Sequence, residues 1–135
     1  MPEGMDPAGA KGAVMAIRGK CHCGATEFEI SEAPKSVTRC TCTFCSKRGG
    51  LWSYMQPEQF RLLSSRNSVS YSSAPELFSH FHCGTCGCST HSDTPVWETM
   101  DTQPGLRRVT VNARLLEDFD LDAVPVVVVD GRNNW

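Results

Sequence analysis

Short alternations of apolar and polar residues run along this chain, with no long helical stripe among them. Thr26 to Ile30 sets Phe28 and Ile30 on one side and Glu27 and Glu29 on the other, the pattern of a half-exposed strand. Leu51 to Met55, Phe60 to Leu63, Val69 to Tyr71 and Leu77 to His82 predict further short strands, and Val109 to Asn112 alternates again. Val126 to Val129 is an unbroken apolar run, which predicts a strand buried on both faces. Arg114 to Asp122 has room for one or two helical turns. Frequent Gly and Pro between these segments predict an all-β (mainly β) domain of short antiparallel strands with little helix.

Composition adds boundaries to this picture. Residues 1–14 are rich in Pro, Gly and Ala without periodicity and read as a disordered leader, so folding is expected from Met15 to Trp135 as a single domain. A chain of 135 residues buries roughly two-thirds of its unfolded surface, enough for a modest core. The net charge is -2 and the basic residues are dispersed, which argues against a nucleic-acid surface. No apolar run approaches the length of a membrane span, and Ala13 to Ile17 is too short for the core of a signal peptide. The expected location is the cytoplasm, where thiols stay reduced.

The cysteines carry the chemistry. All eight fall in three clusters: Cys21 and Cys23; Cys40, Cys42 and Cys45; Cys83, Cys86 and Cys88. Such spacing lets one loop aim two or three thiolates at one ion, and sulfur-rich tetrahedral sites favour zinc, here two ions per chain. The simplest partition joins Cys21 and Cys23 to Cys83 and Cys86 in a closed structural site, leaving Cys40, Cys42 and Cys45 around a second ion with its fourth position open. A competing partition recruits Cys88 there and closes both sites. His22 and His82 flank ligand cysteines and, in a strand, point to the opposite face, so they read as non-ligands. His91, three residues beyond Cys88, is a candidate for supporting a ligand or for acid–base work, with an ordinary surface histidine as the alternative.

Three thiolates make zinc a weak Lewis acid, so hydrolysis is not the favoured chemistry. A soft open site suits a thiol substrate, bound through sulfur and aimed at an electrophilic carbonyl. The expected reaction is addition of a small thiol to an aldehyde. The rival is a non-catalytic zinc-stabilised carrier or binding module, because thiols add to formaldehyde unaided.

Several motifs then resemble one family. They are Gly19-Lys20-Cys21-His22-Cys23-Gly24-Ala25 with Phe28; Cys40-x-Cys42-x-x-Cys45 with Lys47, Arg48 and Gly49; Phe81-His82-Cys83-x-x-Cys86-Gly87; Val111-Asn112-Ala113 with Leu115 and Leu116; and Asp130-Gly131-Arg132. In order and spacing the chain resembles the glutathione-dependent formaldehyde-activating enzymes, whose domain also occurs in centromere protein V. The resemblance implies a β-tent fold with two zinc ions. It assigns Cys21, Cys23, Cys83 and Cys86 to a structural ion and Cys40, Cys42 and Cys45 to the second. It also implies a carbon–sulfur lyase activity forming S-hydroxymethylglutathione from glutathione and formaldehyde. Thr41 stands where many relatives carry His, and His82 is inserted before Cys83; neither change removes a ligand.

Lys47 and Arg48 follow the open cluster and are candidates to hold a glutathione carboxylate, with solvated charges as the alternative. Trp52 and Tyr54 are expected in the core, with a pocket wall as the alternative. Asp118, Asp120 and Asp122 alternate with Phe119 and Leu121 and read as a solvated face.

Overall fold

The computed structural model describes residues 16–134. The expected leader and the start of folding at Met15 lie outside the described residues. The strands are β1 (Ile17–Lys20), β2 (Thr26–Ile30), β3 (Val37–Cys40), β4 (Trp52–Met55), β5 (Phe60–Ser65), β6 (Ser68–Tyr71), β7 (Ser79–Cys83), β8 (Ser89–Pro95), β9 (Arg107–Asn112) and β10 (Val126–Val129). Two short helices, α1 (Thr43–Arg48) and α2 (Gly131–Asn134), join them. The mainly β expectation holds, in two sheets: a small one ordered β1-β2-β5 and a seven-stranded one ordered β10-β3-β4-β9-β8-β7-β6.

Strand alternation gives the large sheet two different faces. Residues directly opposite across a ladder share a face. Thr38 pairs with Trp52, Trp52 with Asn112, Tyr54 with Thr110, Ser92 with Thr110 and His80 with Ser92. One face therefore carries Thr38, Cys40, Trp52, Tyr54, Thr110, Asn112, Ser92 and His80. The other carries Val109, Val111, His91 and Phe81, and it packs on the small sheet. Phe28, Ile30, Val37, Leu51, Val109, Val111, Ala113 and Leu116 form the buried core between them.

The small sheet supplies Phe28, which is fully buried. Its ring lies over Gly19, its direct partner across β1 and β2, where any Cβ would overlap it. Asn112 ties the large sheet to its neighbours. Its side-chain oxygen accepts from the N–H groups of Leu51 and Arg114, and its amide donates to the Ser89 carbonyl at 3.0 Å.

Four expectations are corrected. Val126–Val129 is not buried on both faces. It is an edge strand, parallel to β3 alone, and Val126, Val127 and Val128 are about half exposed. An apolar run reports a preference for burial, but β10 meets a neighbour on one side only. Tyr54 is exposed while Trp52 is buried; Arg108 stacks over the Tyr54 ring, and both aromatics line a pocket of about 250 Å³, the alternative expected of them. The strands are not all antiparallel, given β10 beside β3. His91 is not a surface histidine: it is buried, 4.6 Å from the Phe81 ring and 5.1 Å from Phe60. The expected turns within Arg114–Asp122 do form, as short 3-10 turns at Ala113–Leu115 and Leu121–Ala123. The acidic residues there are exposed and Phe119 and Leu121 pack on the core.

Two outcomes are expected. Gly19→Ala should destabilise the fold by about 1–3 kcal/mol through overpacking against Phe28, whereas Gly105→Ala, which meets open space, should be near neutral; urea unfolding compares them. Burial lowers the His91 pKa to about 4, with Asp93 opposing more weakly. The native state then stays neutral while the unfolded chain takes up a proton below about 6.5. This histidine's contribution to stability is therefore lost as pH falls from about 6.5 to about 4. Between pH 7 and 5 the wild type should lose about 2 kcal/mol more than His91→Gln, read from urea midpoints.

Candidate functional site

Two groups of cysteine sulfurs come together among the described residues. Cys21, Cys23, Cys83 and Cys86 bring their sulfurs within 4.8 Å of one another, and so do Cys40, Cys42 and Cys45. The first group joins the turn between β1 and β2 to the end of β7 and its following loop, segments sixty residues apart. The Cys21 and Cys23 sulfurs are 3.8 Å apart and those of Cys23 and Cys83 are 3.6 Å apart. A tetrahedral ion with metal–sulfur bonds of about 2.3 Å sets sulfurs about 3.8 Å from each other. These residues fit one tetrahedral ion.

Backbone donors aim at the sulfurs. Thr26 N–H donates to Cys21 Sγ, and the Thr85 and Cys86 N–H groups donate to Cys83 Sγ. Donors of this kind favour the thiolate. The Cys88 N–H holds Cys86 down at about 5, and the Cys86 and Thr85 donors lower Cys83. Cys23 goes the other way: the Ala25 N–H pulls it down, but burial and the adjoining sulfurs outweigh this and leave it at about 11. Crowded sulfurs cannot all ionise unless a cation is among them.

The second group is built on the β3-to-α1 turn. Cys40 ends β3, Cys42 is the N-cap of α1 and Cys45 lies within the helix. Cys42 Sγ accepts the Cys45 N–H at 3.3 Å, so one sulfur both caps the helix and faces the cluster. Gly49 closes α1 in the left-handed conformation, at φ 67°. The tail braces this turn. Thr41 N–H donates to the Val129 carbonyl, Thr41 Oγ1 donates to Asp130, and Arg132 N–H donates to Thr41 Oγ1. Burial, then the charges of Cys42 and Cys40, push Cys45 up, while the Cys45 and Phe44 N–H groups outweigh burial at Cys42 and lower it.

Cys88 does not join this second group. It packs with Cys86 against Cys21, Ala25 and Cys83, beside the first cluster. Among the described residues the second group therefore has three sulfurs. Neither group contains a histidine.

The histidines divide by face. His91 shares the core face with Val111, its direct partner, opposite to the face of Cys40. His80 lies on the Cys40 face. Its ring is 4.3 Å from Phe44, between Cys42 and Cys45 on α1, and its Nδ1 is 2.8 Å from Ser92 Oγ. Burial, reinforced by Arg48, lowers its pKa. The sequence reading passed over His80; its alternation with Phe81 becomes informative only once the partner of each face is known.

Lys47 and Arg48 line a cleft of about 540 Å³ together with Arg114, His82, Cys88 and Ser89. The Arg48 guanidinium also stacks over Phe44 at 4.6 Å, linking this cleft to the helix of the second cluster. Arg114 is a residue the sequence reading missed, because nothing in its local pattern connects it with α1.

The comparisons with known proteins agree with this geometry. Among solved structures, the chain is similar to the crystal structure of a Rhodobacter sphaeroides protein, a structural-genomics target. The two are 27% identical over 82% of this chain and 99% of that one, with a TM-score of 0.62. A family model described as glutathione-dependent formaldehyde-activating enzyme matches residues 16–121. With the motif order and both sulfur clusters in place, the chain belongs to the glutathione-dependent formaldehyde-activating enzyme family.

Proposed function

We propose that this protein joins glutathione to formaldehyde, giving S-hydroxymethylglutathione, a carbon–sulfur lyase-type reaction run toward synthesis. Cys40, Cys42 and Cys45 hold a working zinc ion, and Cys21, Cys23, Cys83 and Cys86 hold a structural one. The observation that carries this reading is the three-sulfur group, with Cys88 committed elsewhere. Closed structural zinc sites use four protein ligands, and reactive ones use three. The soft sulfur donors favour zinc over harder metals. The protein works in the cytoplasm, where its thiols and its thiol substrate stay reduced.

Cys40, Cys42 and Cys45 would hold the zinc ion, which when bound would supply acidity to a thiol at neutral pH. The chain's own groups do the rest. Lys47 and Arg48 take a carboxylate of glutathione, which orients its sulfur toward α1. As the carbon–sulfur bond forms, the carbonyl π bond breaks and the oxygen takes a proton, so the proton given up by the thiol is returned and no oxidant is needed. His80 Nε2 is the proton-handling atom on this face, since Nδ1 is engaged by Ser92. Its lowered pKa keeps it neutral, and so able to accept a proton, near pH 7. This role passes to His80 from His91, whose side chain lies on the other face of the sheet.

Exchange spectroscopy of the glutathione–formaldehyde reaction tests the reading. Acceleration by the intact protein is expected; glutathione bound with no acceleration would leave only the carrier. Cys42→Ser should keep the fold, reduce native mass from two zinc ions to one and abolish the acceleration. Cys83→Ala should lose the folded near-ultraviolet signature, because structural metal energy is folding energy. His80→Gln should slow the exchange and remove the acid limb of its pH profile while leaving the metal content unchanged.

A further inference from the structure

Four of the nine arginines of this chain are ion-paired among the described residues. Arg18 pairs with Glu27 at 3.1 Å, Arg61 with Glu29 at 3.0 Å, Arg107 with Asp93 at 2.9 Å and Arg108 with Glu98 at 3.2 Å. Lys47, Arg48 and Arg114 are outside these pairs, as Arg39, Arg66 and Arg132 are, but they alone among them gather in one cleft. Among the described residues none of them has a carboxylate partner, and all three line the same cleft. The cleft lining contains no Asp or Glu, although acidic residues outnumber basic ones in the chain, 15 to 13.

The two guanidinium groups are held in place by neutral acceptors. Arg48 donates one N–H to Ser89 Oγ at 3.1 Å, and Arg114 donates its Nε–H to the Gly49 carbonyl at 2.9 Å. Each guanidinium carries five N–H donors, so most of the fork stays free. Asn112 fixes both anchors to one frame, accepting from Arg114 N–H and donating to the Ser89 carbonyl. His82 adds a further polar group to the lining, and its Nδ1 is buried with no partner among the described residues. Positioned, unpaired forks are what bidentate carboxylate recognition needs. The volume, about 540 Å³, lies within the range for small-ligand sites, roughly 300–1,000 Å³.

We propose that this cleft is a two-carboxylate recognition site in which Arg114, with Arg48 and Lys47, selects the thiol substrate by its pair of terminal carboxylates. The inference rests on the reading above only in taking the ligand to be a thiol peptide. Arg114 and Arg48 act as forks and Lys47 as a point charge. A dicarboxylate thiol peptide such as glutathione satisfies the site, whereas cysteine or cysteamine leaves cations unpaired. Arg114 is thus a specificity-determining residue contributed by a segment outside the cysteine motifs.

Calorimetric titration with S-methylglutathione tests this, because the ligand keeps both carboxylates and has no free thiol. Binding is expected. Esterifying its carboxylates, or introducing Arg114→Gln, should weaken binding by about tenfold or more, the scale of one lost charge-assisted hydrogen bond. Arg114→Lys should restore part of the loss, and Arg18→Gln, at a paired surface arginine, should change nothing. Circular dichroism and zinc content confirm that each variant is folded. An ester bound as tightly as the acid, wild-type affinity in Arg114→Gln, or no binding of S-methylglutathione would each overturn the proposal. The two readings fail separately. Arg114→Gln turning over glutathione at wild-type KM overturns the cleft and leaves the zinc chemistry standing. Arg114-dependent binding by a protein that accelerates nothing supports the cleft and overturns the catalysis.

Discussion

Four sulfurs that would repel one another as thiolates share a space 4.8 Å across, and the rest of the fold is arranged around that constraint. They come from segments sixty residues apart, so bringing them together costs the entropy of closing a long loop. Backbone N–H groups from Thr26, Thr85 and Cys86 offset part of the repulsion, and a cation bound among the sulfurs would offset the remainder. Once closed, the cluster ties the small sheet through the β1–β2 turn to the large sheet through β7. The relative position of the two sheets, and so the core between them, follows from that tie.

The large sheet then separates stability from chemistry by alternation alone. Its inner face gives Val109 and Val111 to the core and buries His91 among aromatic rings. Its outer face carries hydroxyls, an amide, Cys40 and His80, and α1 lies against it through Phe44. Two neighbouring histidine positions on one hairpin thus take opposite roles. A buried neutral imidazole helps to fill the core, while the one beside α1 packs on Phe44 and bonds to Ser92.

The helix α1 concentrates three tasks in six residues. Its cap is a sulfur of the three-cysteine group, its middle packs Phe44 on His80 and its end presents Lys47 and Arg48 to the cleft. A segment this short has no independent helical stability. It is held by the Cys42 cap, by Gly49 at its end and by the tail, where Asp130 and Arg132 bond to Thr41. The Asp130-Gly131-Arg132 motif therefore serves the sulfur nest from the far end of the chain.

Much was legible before folding was considered. Cysteine spacing marks which sulfurs of one short loop can chelate together, because that is local geometry, and the alternation in β2 and β9 marks which side chains face inward. Other features depend on what lies across a ladder or beyond an edge. β8 was missed because its Ser, Thr and His residues read as polar, yet neighbours on both sides bury most of them. Val126–Val129 was read as doubly buried although β10 has a partner on one side only. Arg114 is held by a carbonyl sixty-five residues away. The sequence by itself determined the β class and marked the three cysteine clusters as candidate metal ligands, since strand alternation and chelating spacing are local to short segments. Only the tertiary structure decided which face each histidine occupies, where Cys88 belongs and which cations remain unpaired, because those depend on contacts between residues far apart in the chain.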